Sequence, residues 1–136
     1  MAHFKDLEQY ADFSTSCEVL TAVGWLTRDV PFDRGDVAQS FFARLKELCA
    51  SPWQPIVSMG LHPCDLCQFD APMFTANLFV PYQGRIYVAP VAITHYVASH
   101  WYRPPDVFVL AVMTCPNMNS MAYKKAILEN GGRVLV

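Results

Sequence analysis

The sequence predicts an α+β fold, with a small central antiparallel sheet and about four helices that lie mostly in the C-terminal half. Two short apolar stretches, 77–80 and 86–88, flank Pro81-Tyr82-Gln83-Gly84, whose composition is typical of a hairpin turn. Further strands are expected at residues 18–25, 55–59 and 134–136. A chain of 136 residues fits one domain, which we expect to span residues 1–136.

The helices follow from start and stop signals in the sequence. Asp36 is predicted to cap the first helix, because its carboxylate can accept a hydrogen bond from a free backbone N–H and apolar residues then recur at helical spacing up to Pro52. The other helices are expected at residues 91–102, at 105–114, and from Asn119 or Ser120 to Gly131.

The composition indicates a protein with an apolar surplus. Hydrophobic residues make up 53% of the chain and charged residues 16%, against the usual charged fraction of about 25%. This chain can build a full core without a metal supplying all its stability. The surplus favours contact with a protein partner, most simply self-association as a homodimer.

Charge and hydropathy argue against two other kinds of partner. The formal charge of −2 and the absence of a Lys/Arg run argue against nucleic acid. The longest apolar runs fall short of the ~20 residues that span a bilayer, so no membrane partner is expected. The N-terminus lacks the basic and then apolar build of a signal peptide, and we expect a cytoplasmic protein.

The stretch His62-Pro63-Cys64-Asp65-Leu66-Cys67 carries the most recognisable chemistry. A tight C-x-x-C turn aims two sulfurs at one point, and zinc prefers thiolate and imidazole ligands in a tetrahedron. His62, Cys64 and Cys67 therefore form three candidate ligands of a Zn²⁺ ion. Ligand types alone leave iron open as the metal. The remaining thiols, Cys17, Cys49 and Cys115, are interpreted as small buried hydrophobic residues.

A fourth ligand should come from the predicted helix 91–102, which carries His95 and His100. Residues five apart differ by ~140° around a helix, so one metal should not easily take both. His95 shares a face with small side chains that would allow close approach, and we predict it as the distant ligand. His100 falls on an apolar stripe and is interpreted as a core histidine, although the sequence leaves open which of the two completes the site.

These candidate ligands, His62, Cys64, Cys67 and His95, favour a closed structural zinc site and a protein that acts through protein contacts. Two alternatives stay open. Three ligands and a water would make a metal-dependent enzyme, and Cys64 and Cys67 alone would make a thiol redox pair. Named motifs of deaminases, haem attachment and nucleotide binding are incomplete or missing, so no reaction is predicted.

Three motifs occur together in this chain: Trp25-Leu26…Pro31-Phe32, His62-x-Cys64-x-x-Cys67, and Ala89-Pro90-x-x-Ile93-x-His95-Tyr96-x-x-x-His100. Together they resemble an uncharacterised family of small bacterial proteins, over roughly residues 4–113. The resemblance implies no reaction. It implies that the H-x-C-x-x-C element and the H-Y-x-x-x-H helix are parts of one structural arrangement and lie near each other.

Overall fold

The computed structural model describes residues 4–10, 18–53 and 62–135, and of His62 it describes the backbone alone. In chain order the elements are β1 (Leu20–Ala22), α1 (Gln39–Ala50), β2 (His62–Pro63), β3 (Met73–Phe74), β4 (Asn77–Tyr82), β5 (Arg85–Pro90), α2 (Ile93–His100), α3 (Asp106–Thr114), α4 (Met121–Glu129) and a 3₁₀-helix (Arg133–Leu135). The predicted α+β class is confirmed, with three of these α-helices following the strands.

The larger sheet has the strand order β1-β5-β4 and is mixed. β4 and β5 are antiparallel, as predicted, but β1 runs parallel to β5, with Leu20 opposite Ile86. The prediction of a wholly antiparallel sheet is therefore wrong at β1. A parallel pair needs a long crossover connection, and the chain between β1 and β5 supplies one that includes α1.

The β4–β5 hairpin follows its local sequence closely. Gln83 and Gly84 both have positive φ, 47° and 82°, as a two-residue turn that matches the twist of the strands requires. Pro81 lies in β4, which is an edge strand of this sheet. A proline is tolerated in an edge strand, where the N–H that it lacks is not needed for pairing along the outer edge. β5 is the central strand, and its residues Ile86 to Ala89 are all buried.

Of the two helix N-caps that the sequence predicts, one is observed and the other is not. Ser120 caps α4, since its side chain accepts a hydrogen bond from the backbone N–H of Tyr123. Asp36 does not cap α1, which begins at Gln39 after Ala38 with no side-chain cap. The Asp36 carboxylate instead accepts a hydrogen bond of 3.0 Å from the indole N–H of Trp101.

Other strand predictions have mixed outcomes. The strand predicted at 18–25 is present as the shorter β1. The strand predicted at 134–136 is wrong, because Arg133–Leu135 forms a 3₁₀-helix. The strand predicted at 55–59 lies outside the described residues. No helix within the described ranges has the length and apolar character that crossing a membrane requires.

A second, two-stranded sheet projects from this core. β2 and β3 pair antiparallel, with the backbone of His62 opposite Phe74 and Pro63 opposite Met73. The chain then continues into β4 and β5, and α2 begins three residues after β5 ends. This connectivity brings the loop between β2 and β3 to α2, and the candidate ligands lie on these two segments.

Candidate metal centre

Four side chains converge on one point between the β2–β3 loop and α2. Cys64 and Cys67 come from the loop, and His95 and His100 come from the helix. One ligand atom from each lies within 4.8 Å of the others. Cys64 is 2% exposed and the other three are half-buried, so the cluster lies at the edge of the core.

Four of the six distances between the ligand atoms are close to those of a tetrahedral zinc shell. The Nε2 atoms of His95 and His100 lie 3.3 Å apart. Sγ of Cys67 lies 3.2 Å from Nε2 of His95 and 3.4 Å from Nε2 of His100, and Sγ of Cys64 lies 3.4 Å from Nε2 of His100. Usual zinc bond lengths in a tetrahedron give about 3.3 Å between two nitrogens and about 3.6 Å between sulfur and nitrogen. The donor set and its spacing therefore fit one metal ion.

The loop carries the two sulfurs on a backbone turn that stabilises negative charge. The Cys67 N–H donates to the Cys64 carbonyl at 3.4 Å, and the Cys64 N–H donates to the Pro72 carbonyl at 3.1 Å, closing the base of the loop. The N–H groups of Leu66 and Cys67 also donate to Sγ of Cys64, which lowers the pKa of that thiol. Burial is the larger effect and raises the pKa of Cys64 overall in the absence of a cation.

The helix brings both histidines to the site, so the expectation that His100 is a core histidine is wrong. His100 is the last residue of α2, and the helix ends at Trp101, which is left-handed with φ 57°. The two imidazole rings meet edge to face with centroids 5.0 Å apart. The difference of ~140° in direction does not keep the rings apart, because their Nε2 atoms lie 3.3 Å from each other.

Both imidazoles are suited to bind a cation. Burial lowers the pKa of His95, and the neighbouring His100 lowers it further. Burial also lowers the pKa of His100, with a contribution from the charge of Arg34. A lowered pKa keeps each ring neutral at neutral pH, and the neutral ring has the lone pair that a metal ion needs.

Asp65 holds the C-x-x-C turn against the preceding part of the chain. Its Oδ2 accepts hydrogen bonds from Oγ1 of Thr27 at 2.7 Å and from the Arg28 N–H at 2.8 Å. These bonds lower the pKa of the Asp65 carboxyl. Asp65 is therefore a positioning residue for the turn.

The structure brings together three of the four predicted ligands and adds one. Cys64, Cys67 and His95 are in the cluster, and His100 is its fourth member. The side chain of His62, the remaining predicted ligand, lies outside what the structure describes. The sequence signal for His100 is its place in H-Y-x-x-x-H beside His95, which the helical-face argument outweighed.

Of the three remaining cysteines, the structure describes Cys49 and Cys115. Cys49 is half-buried and Cys115 is buried, and burial raises the pKa of each to about 12. Neither belongs to the cluster. Cys17 lies outside the described residues. Cys115 is therefore buried as the sequence predicts, whereas Cys49 is half-buried and packs at the edge of the core.

Comparison with known proteins gives one match. Residues 2–113 match a family whose description is a domain of unknown function (DUF7919). All four residues of the cluster fall within the matched range, whereas α4 lies beyond it. No curated protein and no solved structure matches this chain.

Proposed function

The chain belongs to the DUF7919 family, and we propose from its geometry that it is a zinc protein in which Cys64, Cys67, His95 and His100 hold a structural Zn²⁺ ion. The observation that carries the proposal is the agreement between the four converging ligand atoms and a tetrahedral shell. The zinc joins the β2–β3 loop to α2, and the protein acts through contacts with other protein chains.

The ligand set favours zinc and a closed site. Two thiolates and two imidazoles are a common structural set for zinc, and four protein ligands fill the tetrahedron. A closed shell has no position for a water or a substrate, which supports a structural role over the open, three-ligand enzyme. Zinc also binds the same sulfurs that a disulfide between Cys64 and Cys67 would use, so metal loading protects the pair from oxidation.

The β2–β3 loop is the part of the chain that needs such a cross-link. Between Pro63 and Phe74 only Cys64 is buried, while Phe69 is 77% exposed and Met73 is 52% exposed. A segment with so little apolar burial cannot offset its loss of conformational entropy by packing. A metal bond to α2 supplies the missing attachment, and the core keeps the remainder of the chain folded without it.

Elemental analysis of the purified protein tests the proposal. We expect about one equivalent of zinc per chain in the wild type and a loss of roughly 100-fold or more in zinc affinity in Cys67→Ser, because a ligand is removed. Replacing zinc with Co²⁺ should give the strong visible absorption of a tetrahedral site together with thiolate-to-cobalt charge transfer. Both bands should weaken in Cys67→Ser.

Cys49→Ser is the matched control, because Cys49 is half-buried and lies outside the cluster. It should keep the wild-type zinc content and the wild-type cobalt spectrum. Wild-type protein that is fully folded and metal-free, or a Cys67→Ser protein that keeps its zinc, would contradict the proposal. Finding iron instead of zinc in the purified protein would support the four-ligand site and would overturn only the identity of its metal ion.

Self-association is the protein contact that the surface supports best. Helix α3 carries one charged residue, Asp106, and leaves Leu110 52% exposed and Met113 45% exposed. Such a weakly charged apolar face has no like charges to repel a second copy of itself. We therefore propose that the apolar surface expected to cover a partner lies on α3.

Light scattering of the wild type and of Leu110→Lys tests the dimer. We expect the wild type to have twice the mass of one chain and the variant to shift toward the mass of one chain, because a lysine would place like charges across the interface. A substitution on the exposed part of α4, Lys124→Glu, should leave the mass unchanged. A monomeric wild type at high protein concentration would overturn this part of the proposal.

A further inference from the structure

A cavity of about 280 Å³ lies beside the C-x-x-C turn. Leu66 contributes to its lining from the turn, and Val30, Pro31 and Phe32 contribute from the chain after β1. Two arginines, Arg28 and Arg34, and the carboxylate-bearing Asp29 complete it. None of these residues is a candidate metal ligand, so the cavity is a feature separate from the metal centre.

The guanidinium groups at this cavity have few partners of their own. Arg34 stacks on the Phe32 ring, with Cζ 4.9 Å from the ring centroid. Nε of Arg28 donates to the Asp65 carbonyl at 3.2 Å. Among the described residues neither arginine forms an ion pair, whereas Arg44 and Arg103 pair with acidic neighbours.

The residues that line the cavity carry one net positive charge. Asp29 offsets one of the two guanidinium groups. The Asp65 carboxylate accepts hydrogen bonds from Thr27 and from the backbone of Arg28, so it is already satisfied. Asp65 keeps its negative charge and interacts electrostatically with Arg28, but its hydrogen bonds come from neutral donors. Neither arginine of the cavity forms an ion pair in the described part of the chain, so their terminal N–H groups are available as donors.

We propose that this cavity binds the oxyanion of a small organic acid, a carboxylate or a phosphate ester, whose apolar portion packs on Phe32 and Leu66. Guanidinium groups bind planar carboxylates and phosphates through paired, charge-assisted hydrogen bonds. The volume is near the lower limit of small-molecule sites, which favours a compact ligand over a nucleotide or a peptide. The inference goes beyond the proposed zinc role and does not depend on which metal is bound.

Calorimetric titration of the metal-loaded protein tests the inference with three small probes that share a phenyl ring. Phenyl phosphate and benzoate carry the two candidate oxyanions, and benzamide has the same ring without a charge. We expect one of the anions, or both, to bind at one site per chain and benzamide to bind at least tenfold more weakly. The ratio between the two anions identifies the preferred group.

Variants locate the binding. Arg34→Gln should weaken the anion by roughly tenfold or more, because it removes a charged hydrogen-bond donor. Asp29→Asn should strengthen it, because it removes the one opposing charge in the cavity lining, and this gain is not expected if substitution only damages the fold. Arg133→Gln is the matched control, since it removes an arginine from the 3₁₀-helix, away from the cavity, and should change the affinity less than twofold.

Equal binding of benzamide, equal weakening by Arg133→Gln, or unchanged binding in Arg34→Gln would each overturn the inference. Failure to detect binding of either anion at millimolar concentration would do the same. Zinc content is measured in every sample. Because Arg34 and Asp29 are outside the ligand set, normal zinc with no anion binding removes this inference alone, and absent zinc with normal anion binding removes only the structural-zinc proposal.

Discussion

Replacing His100 with alanine is expected to remove the metal from the protein. His100 approaches both sulfurs, at 3.4 Å from Sγ of Cys64 and 3.4 Å from Sγ of Cys67, and it lies 3.3 Å from Nε2 of His95. Its loss leaves three ligands and opens the shell. We expect zinc affinity to fall by roughly 100-fold or more, since changes that only reorient a ligand already cost 10–100-fold.

Competition with a chromophoric chelator measures this change, and His62→Ala is its control. The four clustered side chains fill a tetrahedron without His62, so His62→Ala is expected to keep wild-type affinity, whereas His95→Ala should behave like His100→Ala. The opposite result, with zinc lost in His62→Ala and kept in His100→Ala, would restore the ligand set that the sequence predicted. The unaltered fold of each variant is checked by circular dichroism.

The sequence was sufficient for the part of the site that depends on local spacing. C-x-x-C fixes two sulfurs on one tight turn whatever the rest of the fold, so Cys64 and Cys67 could be named from their spacing alone. His95 followed from a correctly predicted helix that α2 confirms with slightly shorter bounds, Ile93–His100. The turn and the helix were each predictable because each is local in the chain.

Helix periodicity favours His95 over His100 because it divides a helix into separate faces. That treatment uses the direction of Cα–Cβ bonds, and it ignores the reach of an imidazole to Nε2. Two rings that leave a helix ~140° apart can still meet when both turn toward the same point, as the 3.3 Å between their Nε2 atoms shows. The position of the loop decides where that point lies, and helix periodicity contains no information about the loop.

The fold divides in the same way between local and distant interactions. The β4–β5 hairpin follows from the turn at Gln83 and Gly84, which are adjacent in sequence. The pairing of Leu20 with Ile86 joins parts of the chain that are far apart, and no local pattern specifies its parallel direction. Asp36 shows the same limit, because a suitable N-cap residue is instead occupied by Trp101 from a distant helix end.

Removing the metal is expected to loosen the β2–β3 loop while the main sheet stays folded. Apart from the metal, three interactions hold the loop. They are the backbone hydrogen bond from Cys64 to Pro72, the short β2–β3 pairing, and the hydrogen bonds that Asp65 accepts. The central strand β5 is buried from Ile86 to Ala89 and pairs on both sides, so it does not depend on the metal. The two regions should therefore respond differently to chelation.

Hydrogen exchange measured by mass spectrometry tests this difference. Under reducing conditions, a strong chelator should speed exchange of amides in residues 64–74 by roughly 100-fold, as expected when a ligand present at 100 times its Kd is withdrawn. Peptides that cover β4 and β5 should change by less than about threefold. The C-terminal turn of α2, which carries His100, should show a smaller increase because its backbone hydrogen bonds remain.

His100→Ala provides the control without a chelator, since it should reproduce fast exchange in the loop in untreated protein. The variant Cys49→Ser should exchange like the wild type, because Cys49 lies outside the cluster. Equal acceleration in the loop and in β5 would mean that the metal supports the whole fold. Unchanged exchange in the loop after zinc has demonstrably left would mean that the ion does not hold this loop, and the structural role proposed for it would fail.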